Sequence, residues 1–156
     1  MALPKDDWTL RWADGRPFDA ESESKRFVFG MRRQAQRVLP KLANFMEFGE
    51  RIDAVGVGIP AGTGVRRFWV ASDRALLVFA TWESSDRILD DSRFPYQEFT
   101  ACRLRISPHS PLFFLKYGNL RVATSQRSIW VGTIPRRQAE ALRAALAARL
   151  PTGILT

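Results

Sequence analysis

The stretch from Phe68 to Trp82, FWVASDRALLVFATW, contains two runs of strand-forming residues, Phe68 to Ala71 and Ala75 to Trp82, separated by Ser72-Asp73-Arg74. RFWVA and ALLVFAT flank the tripeptide on its two sides, as the arms of a hairpin do. The tripeptide reads as the reversal of an antiparallel hairpin, because an aspartate in a turn can bond the backbone ahead of it. Working outward, RIDAVGVGI (51–59) alternates Val55, Val57 and Ile59 with small residues, the period of a half-buried strand, and PAGTG (60–64) links it to the hairpin. Residues 83–93, ESSDRILDDSR, read as a polar loop. Strand character resumes in FPYQEFTACRLRI (94–106). PLFFLKY and NLRVATS flank Gly118-Asn119, a pair tolerant of positive φ and hence a hairpin signal, and RSIWVGT follows as the last strand.

Helical patterns bracket these strands. From Ser24, a candidate N-cap, the residues Phe27, Met31, Ala35, Val38, Leu42 and Phe45 recur at steps of three and four and make one apolar face. Arg33, Arg37 and Lys41 form a basic row on another side. Pro40 removes a backbone donor and is expected to kink the last turns; Gly49 is a natural stop. At the other end, Pro135 opens a helix over residues 134–150 whose stripe is Ala139, Leu142, Leu146 and Leu150. The expected organisation is an acidic arm (1–23) carrying Trp8 and Trp12, an N-terminal helix (24–48), and a β-barrel with its C-terminal helix (49–151). Two tryptophans are unusual in a free tail, so part of the arm is expected to lie on the domain surface. The fold class is mainly β (α+β): a bent antiparallel sheet or partly open barrel of about seven strands, capped by the C-terminal helix.

The chain has 156 residues, enough for one domain, with ordinary apolar (46%) and charged (26%) fractions. No apolar run approaches the ~20 residues that cross a bilayer. MALPKDDWTLRW lacks the basic start and apolar stretch of a secretory signal. One cysteine, Cys102, sits in a strand-like run and reads as a buried small hydrophobe. A cytoplasmic, disulfide-free protein is expected. The net charge of +8 is unevenly spread: residues 1–24 sum to −3, 25–51 to +5, 52–105 to zero and 106–156 to +6.

The element order resembles the pleckstrin-homology-like superfold, and local pieces resemble its bacterial branch, the YokE-like PH domains. Phe48-Gly49-Glu50 is similar to the Gly-Glu entry into the first strand. Val70-Ala71-Ser72-Asp73-Arg74-Ala75-Leu76-Leu77-Val78-Phe79 is similar to a hairpin segment of the Thr-Asp-x-Arg-Leu-Leu type, departing from it at Ser72 and Ala75. Phe94-Pro95-Tyr96-Gln97-Glu98-Phe99 is similar to the aromatic-acidic-aliphatic fourth strand. The resemblance covers roughly residues 31–150 and implies a binding module of that fold.

No catalytic constellation emerges. There is no Gly-x-Ser-x-Gly elbow, and His109, the one histidine, sits in SPHSP without cysteine partners for zinc. Asp86, Asp90 and Asp91 lack the alternating ligands and turn glycine of a calcium loop. GIPAGTG lacks the Lys-Ser/Thr of a phosphate loop and precedes a strand. A non-catalytic protein without cofactor, metal or small-molecule substrate is expected. The leading expectation is a protein-interaction or self-association module. Its aromatic residues, Trp69, Trp82, Phe113, Phe114 and Trp130, exceed what a small core obviously needs, and Trp8, Trp12, Phe113 and Phe114 are the candidate interaction surface. The runner-up is docking on an anionic lipid surface, placing the protein at the inner face of the membrane. Its candidate contacts are Arg33, Arg37 and Lys41, with Arg66 and Arg67 at the position to which the superfold resemblance carries headgroup binding. A third reading is nucleic-acid association through Arg136, Arg137, Arg143 and Arg149 and the N-terminal basic segment, without a recognition helix or stacking platform of a known kind.

Overall fold

The hairpin expected at residues 68–82 is present, and both of its faces are buried. In the computed structural model, which describes residues 9–27, 29–59, 64–82, 87–106 and 117–156, strand β3 (Val65–Ser72) pairs antiparallel with β4 (Ala75–Trp82), from Val65 opposite Trp82 to Ala71 opposite Leu76. The turn is held by Ser72, whose Oγ accepts from the amides of Arg74 and Ala75 at 3.0 Å. Asp73, which the sequence casts in that role, instead accepts from the Arg51 amide across the turn. Pleating sends alternate side chains to opposite faces. Trp69, Ala71, Leu76 and Val78 enter one core, while Phe68, Val70, Ala75, Leu77 and Phe79 enter a second. A sheet covered on both sides needs no polar alternation, which is why ALLVF is continuous.

The first core lies between two sheets and a helix. One sheet runs β1 (Arg11–Trp12), β2 (Arg51–Gly58), β3, β4, β5 (Ile88–Pro95); the other runs β6 (Phe99–Ile106), β7 (Tyr117–Thr124), β8 (Ser128–Pro135). Apart from the short parallel pair of β1 with β2, every pairing is antiparallel. Ile59 and Thr133 exchange backbone hydrogen bonds of 3.0 and 3.1 Å, joining β2 to β8. Four antiparallel strands, then three, then helix α3 (Arg136–Arg149) packed across them match the expected bent antiparallel fold of about seven strands capped by a C-terminal helix. Helix α3 buries Ala139, Leu142, Ala145 and Leu146. It approaches β7 so closely that a Cβ on Gly118 would lie 2.6 Å from that of Ala139. The small residues of β2 also face this core; the Trp69 indole occupies the space beside Gly56.

The second core is built by the N-terminal segment. The single helix expected over 24–48 is instead α1 (Ala20–Ser24), α2 (Phe29–Val38) and a 3-10 helix (Leu39–Asn44). Asp19, not Ser24, caps the first of these, accepting from the amides of Glu21 and Ser22. Pro40 sits at the start of the 3-10 helix, where its missing donor ends α-helical bonding. Phe27, Met31, Ala35, Val38, Leu39, Leu42 and Met46 pack on the outer face of β2, β3 and β4. Phe27 meets Phe68 at 5.8 Å and Phe45 meets Phe79 at 4.9 Å between ring centroids. Gln34, buried in α2, donates to Thr81 Oγ1 (2.8 Å) and Trp82 O (2.7 Å), tying the helix to β4. Arm residues 9–23 continue this layer: Leu10 is buried and Trp12 packs tilted against Phe18.

Three strand boundaries differ from those expected. Residues 88–93 lie inside the span read as a polar loop, yet with Phe94 and Pro95 they form β5. Leu89 and Asp91 are exposed on this edge strand, while Ser92 and Phe94 are buried, so its polarity reflects one wet face. The run 94–106 breaks at a 3-10 turn, Tyr96–Glu98, which carries the chain from one sheet to the other. Gly118-Asn119 is strand interior, paired with Arg105 and Ile106 on one side and Thr133 and Ile134 on the other. Its glycine serves the contact with α3 rather than a turn. The candidate strand over 111–116 lies outside the described residues.

Truncation on either face of the hairpin should therefore be costly. Phe79→Ala, on the helical side, is expected to lower unfolding free energy by about 3–5 kcal/mol, the usual range for a buried phenylalanine. Urea denaturation reads this directly. A loss below about 1 kcal/mol would mean that the N-terminal layer is not a second core.

Candidate functional site

Two surface features concentrate charge, and they differ in whether that charge is already neutralised. The first is a cleft of about 650 Å3 bounded by Glu47, Asp73, Arg74, Arg93, Tyr96 and Arg149. One of these residues, Arg93, reaches Glu50, whose side chain is fully buried. Arg93 grips it with two parallel hydrogen bonds, Nη1 to Oε1 at 2.9 Å and Nη2 to Oε2 at 3.0 Å. The Glu47 amide donates to Oε1 at 2.9 Å, and the Ser72 hydroxyl donates to Oε2. Gly49, at φ +79°, lets the chain turn from the 3-10 helix into β2 and so drives Glu50 inward. Tyr96 Oη donates to Ser72 O at 2.6 Å, and burial pushes its phenol up from its ordinary pKa. Arg74 pairs with Glu47 at 3.0 Å and Arg149 with Asp53 at 3.1 Å. The cleft's three arginines thus each have a carboxylate partner, and the network fastens the β3–β4 turn to β2 and β5.

The second feature is the outward face of the three-stranded sheet. Arg103 lies directly opposite Arg121, and Arg121 opposite Trp130; in the next row Arg105 lies opposite Asn119. All three arginines are exposed. Between Glu98 and Glu140 the chain has seven basic residues and no acidic one. Among the described residues no carboxylate forms a salt bridge with Arg103, Arg105 or Arg121. The Arg121 guanidinium lies 5.4 Å from the Trp130 ring centroid, and Trp130 Nε1 donates to Asn119 Oδ1 at 2.6 Å, so the indole braces both rows. Arg103, Arg105, Asn119 and Arg121 enclose an open hollow of about 170 Å3. Like charges directly opposite each other across strands destabilise a sheet, so this face carries a folding cost that an anion would relieve.

The residues singled out from the sequence are scattered. Arg33 and Arg37 are exposed on α2, and Lys41 is half-buried on the 3-10 helix after it. Arg66 and Arg67 point to opposite faces of β3: Arg66 donates to Gln34 Oε1 at 2.9 Å, and Arg67 to Trp130 O. They do not share a site, because adjacent strand residues alternate in direction. Trp12 belongs to the helical layer, half-buried against Phe18. Trp8, Phe113, Phe114, His109 and Asp86 lie outside the described residues. Of the C-terminal arginines, Arg136 pairs with Glu140 at 2.8 Å, Arg143 donates to Leu104 O and Arg149 holds Asp53; Arg137 is exposed. Among the described residues no three His, Cys, Asp or Glu side chains gather where they could hold a metal ion. None of their helices is long and apolar enough to cross a membrane. The triad of Arg103, Arg105 and Arg121 was signalled only by the Arg-x-Arg spacing in β6 and the acid-free stretch around it; its third member needs the strand register.

Compared with known proteins, the sequence matches no family model and no curated protein. Among solved structures, it is similar to the hSac2 domain from human phosphoinositide phosphatase Sac2, at 14% identity and a TM-score of 0.48, over 83% of this chain and 88% of that one.

Two outcomes follow from the buried groups. Glu50→Gln removes the charge that Arg93 and Ser72 converge on and should cost about 3 kcal/mol in urea unfolding, as for other broken buried pairs; a change within about 0.5 kcal/mol would make the network incidental. Cys102 is fully buried in β6, and desolvation pushes its thiol up to about 12. Ellman's reagent at pH 8 should leave it unmodified in the native protein and label it fully in denaturant. Rapid native labelling would contradict the burial.

Proposed function

We propose that this chain is a non-catalytic binding module that engages an anionic partner, in the first instance a protein, through the outward face of its three-stranded sheet. One observation carries the reading: three exposed arginines, two of them directly opposed, share a sheet face with no carboxylate partner among the described residues. The pleckstrin-homology-like resemblance agrees with a binding role, and we infer membership of its bacterial YokE-like branch. The motifs behind that inference meet in space, since Glu50, Ser72 and Tyr96 belong to one buried hydrogen-bond network. A second reading, docking on an anionic membrane, is favoured by the outward row of Arg32, Arg33 and Arg37 on α2. Its apolar face is buried in the domain, so such docking would be purely electrostatic.

Retention on immobilised heparin separates the two faces. Arg103→Gln combined with Arg121→Gln should elute at clearly lower salt than wild type, and at lower salt than Arg33→Gln combined with Arg37→Gln, which removes the same charge. Because the sheet variant removes a like-charge pair, its melting temperature should not fall. Equal elution of the two double variants would refute a sheet-face site.

A further inference from the structure

We infer that the hollow between Arg103, Arg105, Asn119 and Arg121 is a recognition site for a phosphomonoester carried on a protein side chain. The inference rests on the sheet-face reading above and narrows it.

Three properties of the hollow select the ligand. The first is donor number: three guanidiniums offer five N–H groups each in planar forks, and Asn119 adds an amide, its Oδ1 already occupied by Trp130. A carboxylate has two oxygens and one charge, and one forked arginine satisfies it. A phosphomonoester carries nearly two charges and three terminal oxygens, so it can use several forks at once. The second is size. At about 170 Å3 the hollow is below the roughly 300–1,000 Å3 of pockets that envelop small molecules, and it opens onto a sheet surface. It suits one group projecting from a larger body. The third is preorganisation: Arg103 and Arg105 share one face of β6, register places Arg121 opposite Arg103, and Trp130 braces Arg121 and Asn119. The cations stand together in the free protein although they repel one another.

The body bearing the phosphoryl group is best matched by a protein. A lipid surface would favour apolar side chains beside the arginines to enter the headgroup layer. The large exposed hydrophobics among the described residues, Phe48, Trp82 and Leu89, are all outside this sheet; beside the arginines, Trp130 is half-buried and held against Arg121 and Asn119, and the exposed Thr100, Ala101 and Ser128 are small. A nucleic-acid strand presents single charges in a long series and would call for a continuing basic track; the outward face of these strands offers three cations.

The test is an NMR titration of the full chain, following arginine Nε–H and backbone amide signals, with the peptide Gly-Gly-phosphoserine-Gly-Gly and its serine and glutamate counterparts. The phosphopeptide should move Arg103, Arg105, Arg121 and Asn119 signals saturably, at least about tenfold more tightly than the glutamate peptide, while the serine peptide does nothing. Arg121→Gln should weaken phosphopeptide binding about tenfold, and Arg33→Gln should leave it unchanged. Equal response to phosphoserine and glutamate peptides, or a response centred on α2, overturns the assignment. Cosedimentation through these arginines with vesicles containing phosphatidylinositol 4-phosphate, without any phosphopeptide response, overturns the protein partner. Failure here with heparin retention still dependent on Arg103 and Arg121 removes only the phosphoryl specificity. Failure of both removes the sheet-face site.

Discussion

A hairpin that is apolar on both faces must be covered twice, and this requirement organises the molecule. One cover is the usual one for a bent antiparallel fold: a second sheet and a C-terminal helix closing over Trp69, Leu76 and Val78. The other is assembled from described residues between Leu10 and Met46, largely on short helical pieces, on the outer face around Phe68, Leu77 and Phe79. Each fully buried Leu or Phe contributes roughly 1.5–3 kcal/mol relative to exposure, so neither layer is dispensable to the sheet between them. The N-terminal segment is thus structural over residues 9–46, not an appended arm.

The polar interior serves the same end. Glu50 is tolerated without solvent because Arg93, Ser72 and the Glu47 amide satisfy its oxygens, and these groups come from β5, the hairpin turn and the segment that leads into β2. The contrast with the far sheet is chemical. Where charges are buried near Glu50, each has a partner; on β6 and β7, where solvent reaches them, three cations are held side by side without a carboxylate partner among the described residues. Local rules are commonly broken where a surface has a use, and this is where they are broken.

Sequence periodicity made the hairpin, the C-terminal helix and the mainly antiparallel fold class legible, because each has a pattern specific to one geometry. It misassigned elements whose residues have two physical uses. Gly118-Asn119 has turn chemistry, yet the glycine is there because Ala139 approaches it. Asp90, Asp91 and Ser92 have loop composition, yet an edge strand with one wet face has the same composition. The N-terminal stripe was visible as an apolar face, but nothing in one sequence says which surface it covers. The arginine triad was the least legible of all. Arg103 and Arg105 look like the solvent side of any strand, and Arg121 joins them only through register.

The central claim is that the sheet holds two cores and that the N-terminal layer folds with it. Native-state amide hydrogen exchange tests it most directly. The amides of α2 should be protected on the scale of global unfolding, alongside those of β3 and β4, and should open with them in one cooperative step. Free exchange throughout α2, with β3 and β4 still protected, would contradict the account.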